Sequence, residues 1–143
     1  MPETELGLNP VSINNLNTPK KVRMKVTAKI CMTKDVGNNG SLFGGNMLAW
    51  MDEAAAIFAR QVTGAKRVVT LRFAEIIFRK PAREGDIIEF YCENMRPGHT
   101  SVTFDIFAAI GGEEIFRTEC TFVVVDEAGR KAMIDWAGKT GNR

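Results

Sequence analysis

The chain has 143 residues, of which 45% are hydrophobic and 25% are charged. These values predict a single soluble globular domain. The formal net charge of +2 is too small to favour non-specific binding of nucleic acid. No apolar run reaches the roughly 18 residues of a membrane span, and residues 1–21 lack the apolar core of a signal peptide, so we expect a cytoplasmic protein that contacts neither nucleic acid nor membrane.

Cysteine and histidine are scarce. The three cysteines are odd in number, widely spaced and without a CxxC pair, which predicts reduced thiols in the core. A single histidine, His99, argues against a zinc site of the usual ligand types. We therefore predict no metal and no cofactor.

The first 21 residues are polar, contain three prolines and predict a flexible N-terminal arm. One domain is predicted over residues 22–136, followed by a frayed tail over residues 137–143. Residues 22–32 alternate in polarity and predict the first strand. A β-bulge is expected near Ala74 and a two-residue hairpin at Gly111-Gly112. The other predicted strands cover residues 68–78, 86–95, 102–110 and 114–125. Alternation in the last three of these strands predicts the following inward-facing residues: Ile88, Phe90, Cys92, Val102, Phe104, Ile106, Ala108, Ile110, Phe116, Cys120, Phe122 and Val124.

Residues 40–62 predict one long helix that is apolar on nearly every side. Asn39 or Ser41 is the expected N-cap, and the helix is expected to end at Thr63-Gly64. The element order predicts an α+β fold, in which an antiparallel sheet of about five strands wraps around one central helix. Because such a sheet has free edges and cannot cover the whole helix, we predict that two copies pair edge to edge with their helices facing each other.

The start of this helix is the first candidate site. Phe43-Gly44-Gly45 places free backbone N–H groups at the positive end of the helix dipole, which favours an oxyanion or a phosphate oxygen. Glycine also lets a ligand approach the backbone closely. The alternative is a turn with a close helix–sheet contact, and the spacing alone does not decide between the two.

Asp52 is the second candidate, because it lies within the apolar helix and has no basic residue three or four positions away. Ionised carboxylates are rarely buried without a partner. Asp52 could therefore act as a general base or as a nucleophile, or it could be a polar residue capped by a neighbouring backbone group. Glu53 is the rival acid, but it points about 100° away around the helix.

Gly44 and Gly45 lie seven or eight residues before Asp52, which is about 10–12 Å along the same helix axis. One reacting carbon cannot contact both groups within a single subunit. If both serve one reaction, the helix start comes from one subunit and the carboxylate from the other, and the dimer is the catalytic unit.

Basic residues beside turns form a third group of candidates, since they could bind phosphates. Each of them could equally be a solvated strand end. A Ser101/His99 pair and a cysteine nucleophile are weaker candidates, because neither has a suitable partner nearby in the sequence. The basic groups are Arg79-Lys80 with Arg83, Arg96 with His99, and Arg130-Lys131.

An ordered set of motifs over about residues 25–134 resembles the acyl-CoA thioesterases of the hotdog fold, in particular the bacterial YciA type and the brain-type acyl-CoA hydrolases. The motifs are NGSLFGG (39–45), WMDEAA (50–55), VVT (68–70), FRKP (78–81), EGD (84–86), GHTSV (98–102) and VVDEAGR (124–130).

The resemblance implies hydrolysis of acyl-CoA to free acid and CoA, with coenzyme A as part of the substrate rather than a cofactor. It implies that Asp52 is the catalytic carboxylate, that the Gly44 and Gly45 amides polarise the thioester carbonyl, and that the protein forms a hexamer, as a trimer of dimers. Relatives often carry a site asparagine where this chain has Gly37, and either Asn39 or Asn38 takes its place in holding the water or this role is missing from the chain. The candidate substrate-binding residues are Asn38, Phe43, Lys80, Thr100, Ser101 and Arg130.

Two other functions are compatible with the sequence. One is a non-catalytic acyl-CoA sensor, although an unpaired carboxylate near the acyl chain would serve no purpose there. The other is a hotdog dehydratase, which needs a histidine at the site, whereas His99 lies in a predicted turn away from Asp52. The sequence does not choose between general-base catalysis and a mixed-anhydride intermediate.

Overall fold

The computed structural model describes residues 23–141, so the predicted N-terminal arm lies outside the described residues. Within this range the chain forms six strands, two helices and one 3-10 turn, over residues 33–35. The helices are α1 (Gly44–Thr63) and α2 (Trp136–Gly141), and the strands are β1 (Met24–Ile30), β2 (Val68–Phe73), β3 (Ile77–Phe78), β4 (Ile87–Pro97), β5 (Ser101–Ile110) and β6 (Glu113–Val124).

The strands form one antiparallel sheet in the order β1-β4-β5-β6-β2, and β3 also pairs with β6. Helix α1 contacts β1, β2, β4, β5 and β6, so it lies across one face of the sheet. The predicted α+β architecture is confirmed. Strand β2 is a sheet edge, and its outward-pointing Val69 and Leu71 are exposed.

The sheet has six strands rather than about five because the predicted strand over residues 68–78 is interrupted. The Ala74 N–H donates to the Glu119 carbonyl over 2.8 Å, and the chain leaves the sheet until β3 begins. The shift in strand register lies earlier than predicted, between Thr70 and Arg72. Leu71 bulges there and is 60% exposed.

The core fills the space between α1 and the sheet with large aromatic side chains. Phe58 of α1 packs against Phe104 of β5, with ring centroids 4.7 Å apart. Cys31, Cys92 and Cys120 are free and buried, as the alternation predicts. Burial raises the pKa of both the Cys92 and Cys120 thiols, so these thiols stay neutral.

The predicted N-cap of α1 is wrong. The helix begins at Gly44, and Phe43 is its N-cap without a side-chain hydrogen bond. Asn39 Oδ1 instead accepts hydrogen bonds from the N–H and the hydroxyl of Ser41, which closes the turn before the helix. The predicted C-terminal end is confirmed, because Gly64 adopts a left-handed conformation with φ of 74° and donates to the Arg60 carbonyl.

The described residues end in the short helix α2, within the region where the sequence predicts a frayed tail. The Trp136 indole N–H donates to the Gly98 carbonyl over 2.8 Å, and the Ile134 N–H donates to the His99 carbonyl over 2.8 Å. The segment before α2 is thereby tied to the turn that precedes β5. No helix in the described part of the chain is long and apolar enough to span a membrane.

Candidate active site

The first two residues of α1 carry unused hydrogen-bond donors. The carbonyl of Phe43 accepts from the N–H groups of Asn46 and Met47 over 2.9 and 3.2 Å. The N–H groups of Gly44 and Gly45 donate to no acceptor within residues 23–141. Two backbone donors are therefore available at the positive end of a helix of 20 residues.

The 3-10 turn over residues 33–35, of which only Asp35 is buried, holds this helix start in place. The carbonyl of Asp35 accepts hydrogen bonds from both the Phe43 N–H and the Asn46 side-chain amide, each over 3.0 Å. The Asp35 carboxylate accepts the Met32 N–H over 3.0 Å and pairs with Lys34. The pKa of Asp35 is lowered first by the Met32 hydrogen bond and then by Lys34, so the carboxylate stays ionised.

The two glycines differ in the space around them. A Cβ atom on Gly45 would lie 2.8 Å from the ring of Phe43, so glycine is required there while that ring keeps its place. A Cβ atom on Gly44 would lie 3.8 Å from the Phe78 ring, which is an ordinary contact. Glycine at position 44 therefore leaves open space that a ligand can use.

A cleft of about 310 Å³ opens beside Gly44. It brings together three of the predicted site residues: Asn39, Gly44 and Lys80. The described residues that line it include two cations and no carboxylate. They are Asn39, Ser41, Leu42, Gly44, Met47, Phe78, Arg79, Lys80, Pro81 and Ala82.

Asp52 is only half-buried and has a partner. The Thr70 hydroxyl donates to Asp52 Oδ1 over 2.8 Å, so the expectation of a buried carboxylate without a partner is wrong. Asp52 is absent from the described lining of the Gly44 cleft. The calculated distance of about 10–12 Å along α1 accounts for this separation.

The remaining candidates divide between the two ends of the sheet. Lys80 forms an ion pair with Glu113, beside the Gly111-Gly112 hairpin that joins β5 to β6. Ser101, at the opposite end of β5, pairs with Val123 of β6. Ten residues of extended strand put these ends about 30 Å apart.

Asp52 belongs to the Ser101 end. Its partner Thr70 is in register with Phe122 of β6, and Phe122 is in register with Val102, the residue after Ser101. We therefore define two groups. The amide half contains Asn39, Gly44, Gly45 and Lys80, and the carboxylate half contains Asp52, Thr70, Thr100, Ser101 and Arg130.

Three of the predicted substrate-binding residues, Asn38, Phe43 and Arg130, are exposed and lie outside the cleft. Asn38 and Phe43 are exposed beside the amide half, but neither lines the described cleft. Arg130 is exposed in the turn after β6, 3.8 Å from Asp126.

Sequence reasoning did not assign a role to Thr70, although the motif VVT contains it. The signal in the sequence was its position two residues after Val68 in a predicted strand. Because alternate residues of a strand share one side, Val68 and Thr70 both face α1. The bulge at Leu71 obscured that signal, because it breaks the alternation immediately after Thr70.

The family of the chain follows from comparison with known proteins. A family model described as the thioesterase superfamily matches residues 39–115, which is more than half of the chain. The Escherichia coli protein named acyl-CoA thioester hydrolase YciA is 32% identical over 114 residues, covering 73% of this chain and 86% of the relative. The chain belongs to the thioesterase superfamily.

Solved structures of similar sequence share the fold. A hexameric hotdog fold thioesterase of Campylobacter jejuni has a TM-score of 0.73 and 27% identity, covering 81% of this chain and 93% of that chain. An acyl-CoA hydrolase from Staphylococcus aureus, solved with butyryl coenzyme A, has a TM-score of 0.68 and 27% identity, covering 80% and 68%. The predictions of a hotdog fold and of thioesterase activity are confirmed.

Proposed function

We propose that the chain hydrolyses acyl-CoA to free acid and CoA at a site shared by two subunits. One observation carries this proposal: among residues 23–141, no carboxylate lines the cleft with the free amides, while Asp52 lies toward the other end of the sheet. The E. coli and S. aureus relatives support the substrate class, since both are named for acyl-CoA hydrolysis.

A two-fold axis at the β2 edge would join the halves. The free edge of β2 can pair antiparallel with the same edge of a second copy, which reverses the ends of the partner sheet. The partner's carboxylate half would then lie beside this subunit's amide half. By the same symmetry, the two α1 helices cross midway between Gly45 and Asp52, at Leu48 and Ala49, which are both exposed in the single chain.

In this site the Gly44 and Gly45 N–H groups donate to the thioester carbonyl oxygen, where negative charge develops in the transition state. The partner subunit's Asp52 takes a proton from the attacking water as general base, and the C–S bond breaks as the proton passes to the departing thiolate. Attack by the carboxylate itself, through a mixed anhydride, is the alternative chemistry. The Thr70 hydrogen bond occupies Oδ1 and leaves Oδ2 available for either step.

Asn39 rather than Asn38 is the better candidate to hold the water in the absence of an asparagine at position 37. Asn39 lines the cleft together with Gly44, whereas Asn38 does not. The Asn39 Oδ1 is already bound to Ser41, which orients the side chain and leaves its nitrogen as a donor.

The proposed assembly is a hexamer, as a trimer of these dimers, since the C. jejuni neighbour is hexameric. Cytoplasmic location and the absence of a cofactor remain predictions.

Release of free thiol from a panel of acyl-CoA substrates tests the activity. Asp52→Asn should lower kcat by about 10²–10⁴-fold, the range for loss of a general base. Glu53→Gln is the matched control, because it removes a neighbouring exposed acid from the same helix. Unchanged turnover in Asp52→Asn removes Asp52 from the mechanism, and no thiol release by the wild type favours the sensor.

Co-expression of two impaired variants tests whether the site is shared. The methyl group of Gly44→Ala would make only ordinary contacts within the chain. A loss of turnover in this variant therefore shows that the methyl group obstructs the bound ligand. If Asp52→Asn and Gly44→Ala subunits mix freely, one site in four receives both intact groups, and about a quarter of the wild-type activity returns. Mixed oligomers with no more activity than the separate variants would contradict a shared site.

A further inference from the structure

Two consecutive basic residues meet two consecutive acidic residues at the rim of the Gly44 cleft. Strand β3 pairs with β6 through Phe78 and Phe116, and the Arg79 N–H donates to the Ile115 carbonyl over 3.1 Å. This antiparallel register carries the next residue, Lys80, alongside the first residues of β6. Lys80 accordingly pairs with Glu113, the residue directly after the Gly111-Gly112 hairpin.

The second pair strengthens the arrangement. Arg79 approaches Glu114 at 3.4 Å, and Glu114 also accepts hydrogen bonds from Arg117. The acid that pairs with Arg79 is thus fixed by a second arginine, whereas Glu113 is held by Lys80 alone among the side chains of residues 23–138. Glu113 is therefore the acid that can leave its partner more easily.

The Lys80–Glu113 pair does not support the core. The two side chains are 56% and 58% exposed, and exposed ion pairs add little to stability. Lys80 nevertheless lines the cleft beside the free amides, and Glu113 does not. The pair is therefore placed to affect ligand binding in the cleft rather than the stability of the fold.

We propose that Glu113 is a specificity-determining residue that competes with the phosphate groups of the ligand for Lys80. The proposal rests on the function above for the identity of the ligand. A phosphate dianion attracts the ammonium group more strongly than one carboxylate does, so CoA phosphates displace Glu113. A singly charged anion, such as the released acid, attracts Lys80 no more strongly than the Glu113 carboxylate does. Glu113 therefore prevents such an anion from binding to Lys80.

Calorimetric titration with CoA tests the competition. Glu113→Gln should bind CoA about 1.4- to fivefold more tightly than the wild type, the range that exposed ion pairs span. In a Lys80→Gln background the same change should have no effect, because the contested cation is gone. Glu75→Gln, an exposed acid outside the cleft lining, is the control for net charge and should bind like the wild type. Pantetheine, which lacks the phosphates, should not distinguish Glu113→Gln from the wild type.

Several results would overturn the role of Glu113. They are unchanged or weaker CoA binding by Glu113→Gln, an equal gain in the Lys80→Gln background, an equal gain with pantetheine, or no CoA binding by the wild type. The proposed hydrolysis fails separately, if CoA binds to the wild type but no acyl-CoA releases thiol.

Discussion

Thr70 and Asp52 are joined by one hydrogen bond of 2.8 Å between the edge strand and the helix. A hydrogen bond to a charged group contributes about 1.5–3 kcal/mol. Thr70→Val keeps the shape of the side chain and removes the donor, so we expect kcat/KM to fall by about 10–100-fold and Tm to fall by about 5–10 °C. Steady-state kinetics and thermal unfolding measure the two effects, and Thr70→Ser should recover most of the activity.

Thr103→Val is the matched control for Thr70→Val. It removes a hydroxyl pair, Thr103 with Thr121, from the face of the sheet away from α1. Equal losses of activity in the two variants would show that the loss reports general loosening of the sheet rather than the position of Asp52.

The sequence could identify Asp52 because helical periodicity shows an acid within an apolar segment. It could not identify the contact with Thr70, which is 18 residues away and forms only when β2 lies against α1. Candidate residues can therefore be selected by residue type at this scale, and the catalytic role of Asp52 stays a prediction. The partners of a residue cannot be selected in this way, because tertiary packing determines them.

At the scale of elements, α1 has one face on the sheet and an opposite face that the single chain leaves open. Ala49 lies at the midpoint between Gly45 and Asp52 on the open face. Ala49→Arg should preserve the folded chain, since arginine is a good helix former and the position is exposed. We expect it to separate the dimer and abolish turnover together. Sedimentation and thiol release measure the two losses.

Gln61→Arg provides the comparison for Ala49→Arg, because it adds the same side chain to an exposed position near the end of the same helix. An Ala49→Arg protein that stays oligomeric and fully active would place the helix crossing elsewhere.

Alternation predicted which residues of β4, β5 and β6 face the core, since a strand has only two sides. The start of α1 was harder to predict. Asn39 and Ser41 are good N-cap residue types, but Asn39 bonds to Ser41, and the carbonyl of Asp35 holds the helix start instead. A contact between backbone atoms does not depend on residue type, so it cannot be predicted from residue type.

At the scale of the whole molecule, a network of ion pairs lies on the face of the sheet opposite α1. Arg117 contacts Glu93, Asp105 and Glu114, and hydrogen bonds from Arg117 lower the pKa of Glu114. A hydrogen bond from Arg72 likewise lowers the pKa of Glu119. These contacts join β2, β4, β5 and β6 through charges as well as through the backbone.

Acid should therefore weaken the fold. Because the carboxyl pKa values are lower in the folded state, the unfolded chain takes up protons first as the pH falls, and the free energy of unfolding decreases. We expect it to be nearly constant above about pH 5 and to decline as the pH falls through the folded pKa values. Urea unfolding between pH 3 and 7 measures this dependence.

Arg117→Met should make the acid dependence shallower, because Glu114 would then titrate nearer its ordinary value. Greater stability at pH 3 than at pH 6 would contradict the sign of the prediction.

The overall architecture could be predicted because the order of one strand, one long apolar helix and a series of strands admits few layered arrangements. The separation of Gly44 and Gly45 from Asp52 along the helix could also be predicted, but the strand residues that accompany each group could not. Their placement depends on the register that places Thr70 opposite Phe122 and brings Lys80 to Glu113, and one slip of register would move these residues.

The carbonyl oxygen of Asp35 accepts one hydrogen bond from the N–H of Phe43 and a second from the amide of Asn46, so the first turn of α1 is fixed from behind. The donors of Gly44 and Gly45 are consequently in position before any acyl group arrives. In the proposed reaction, docking of the thioester would then require little ordering of the protein, because the receptor is already rigid and does not have to fold around the ligand.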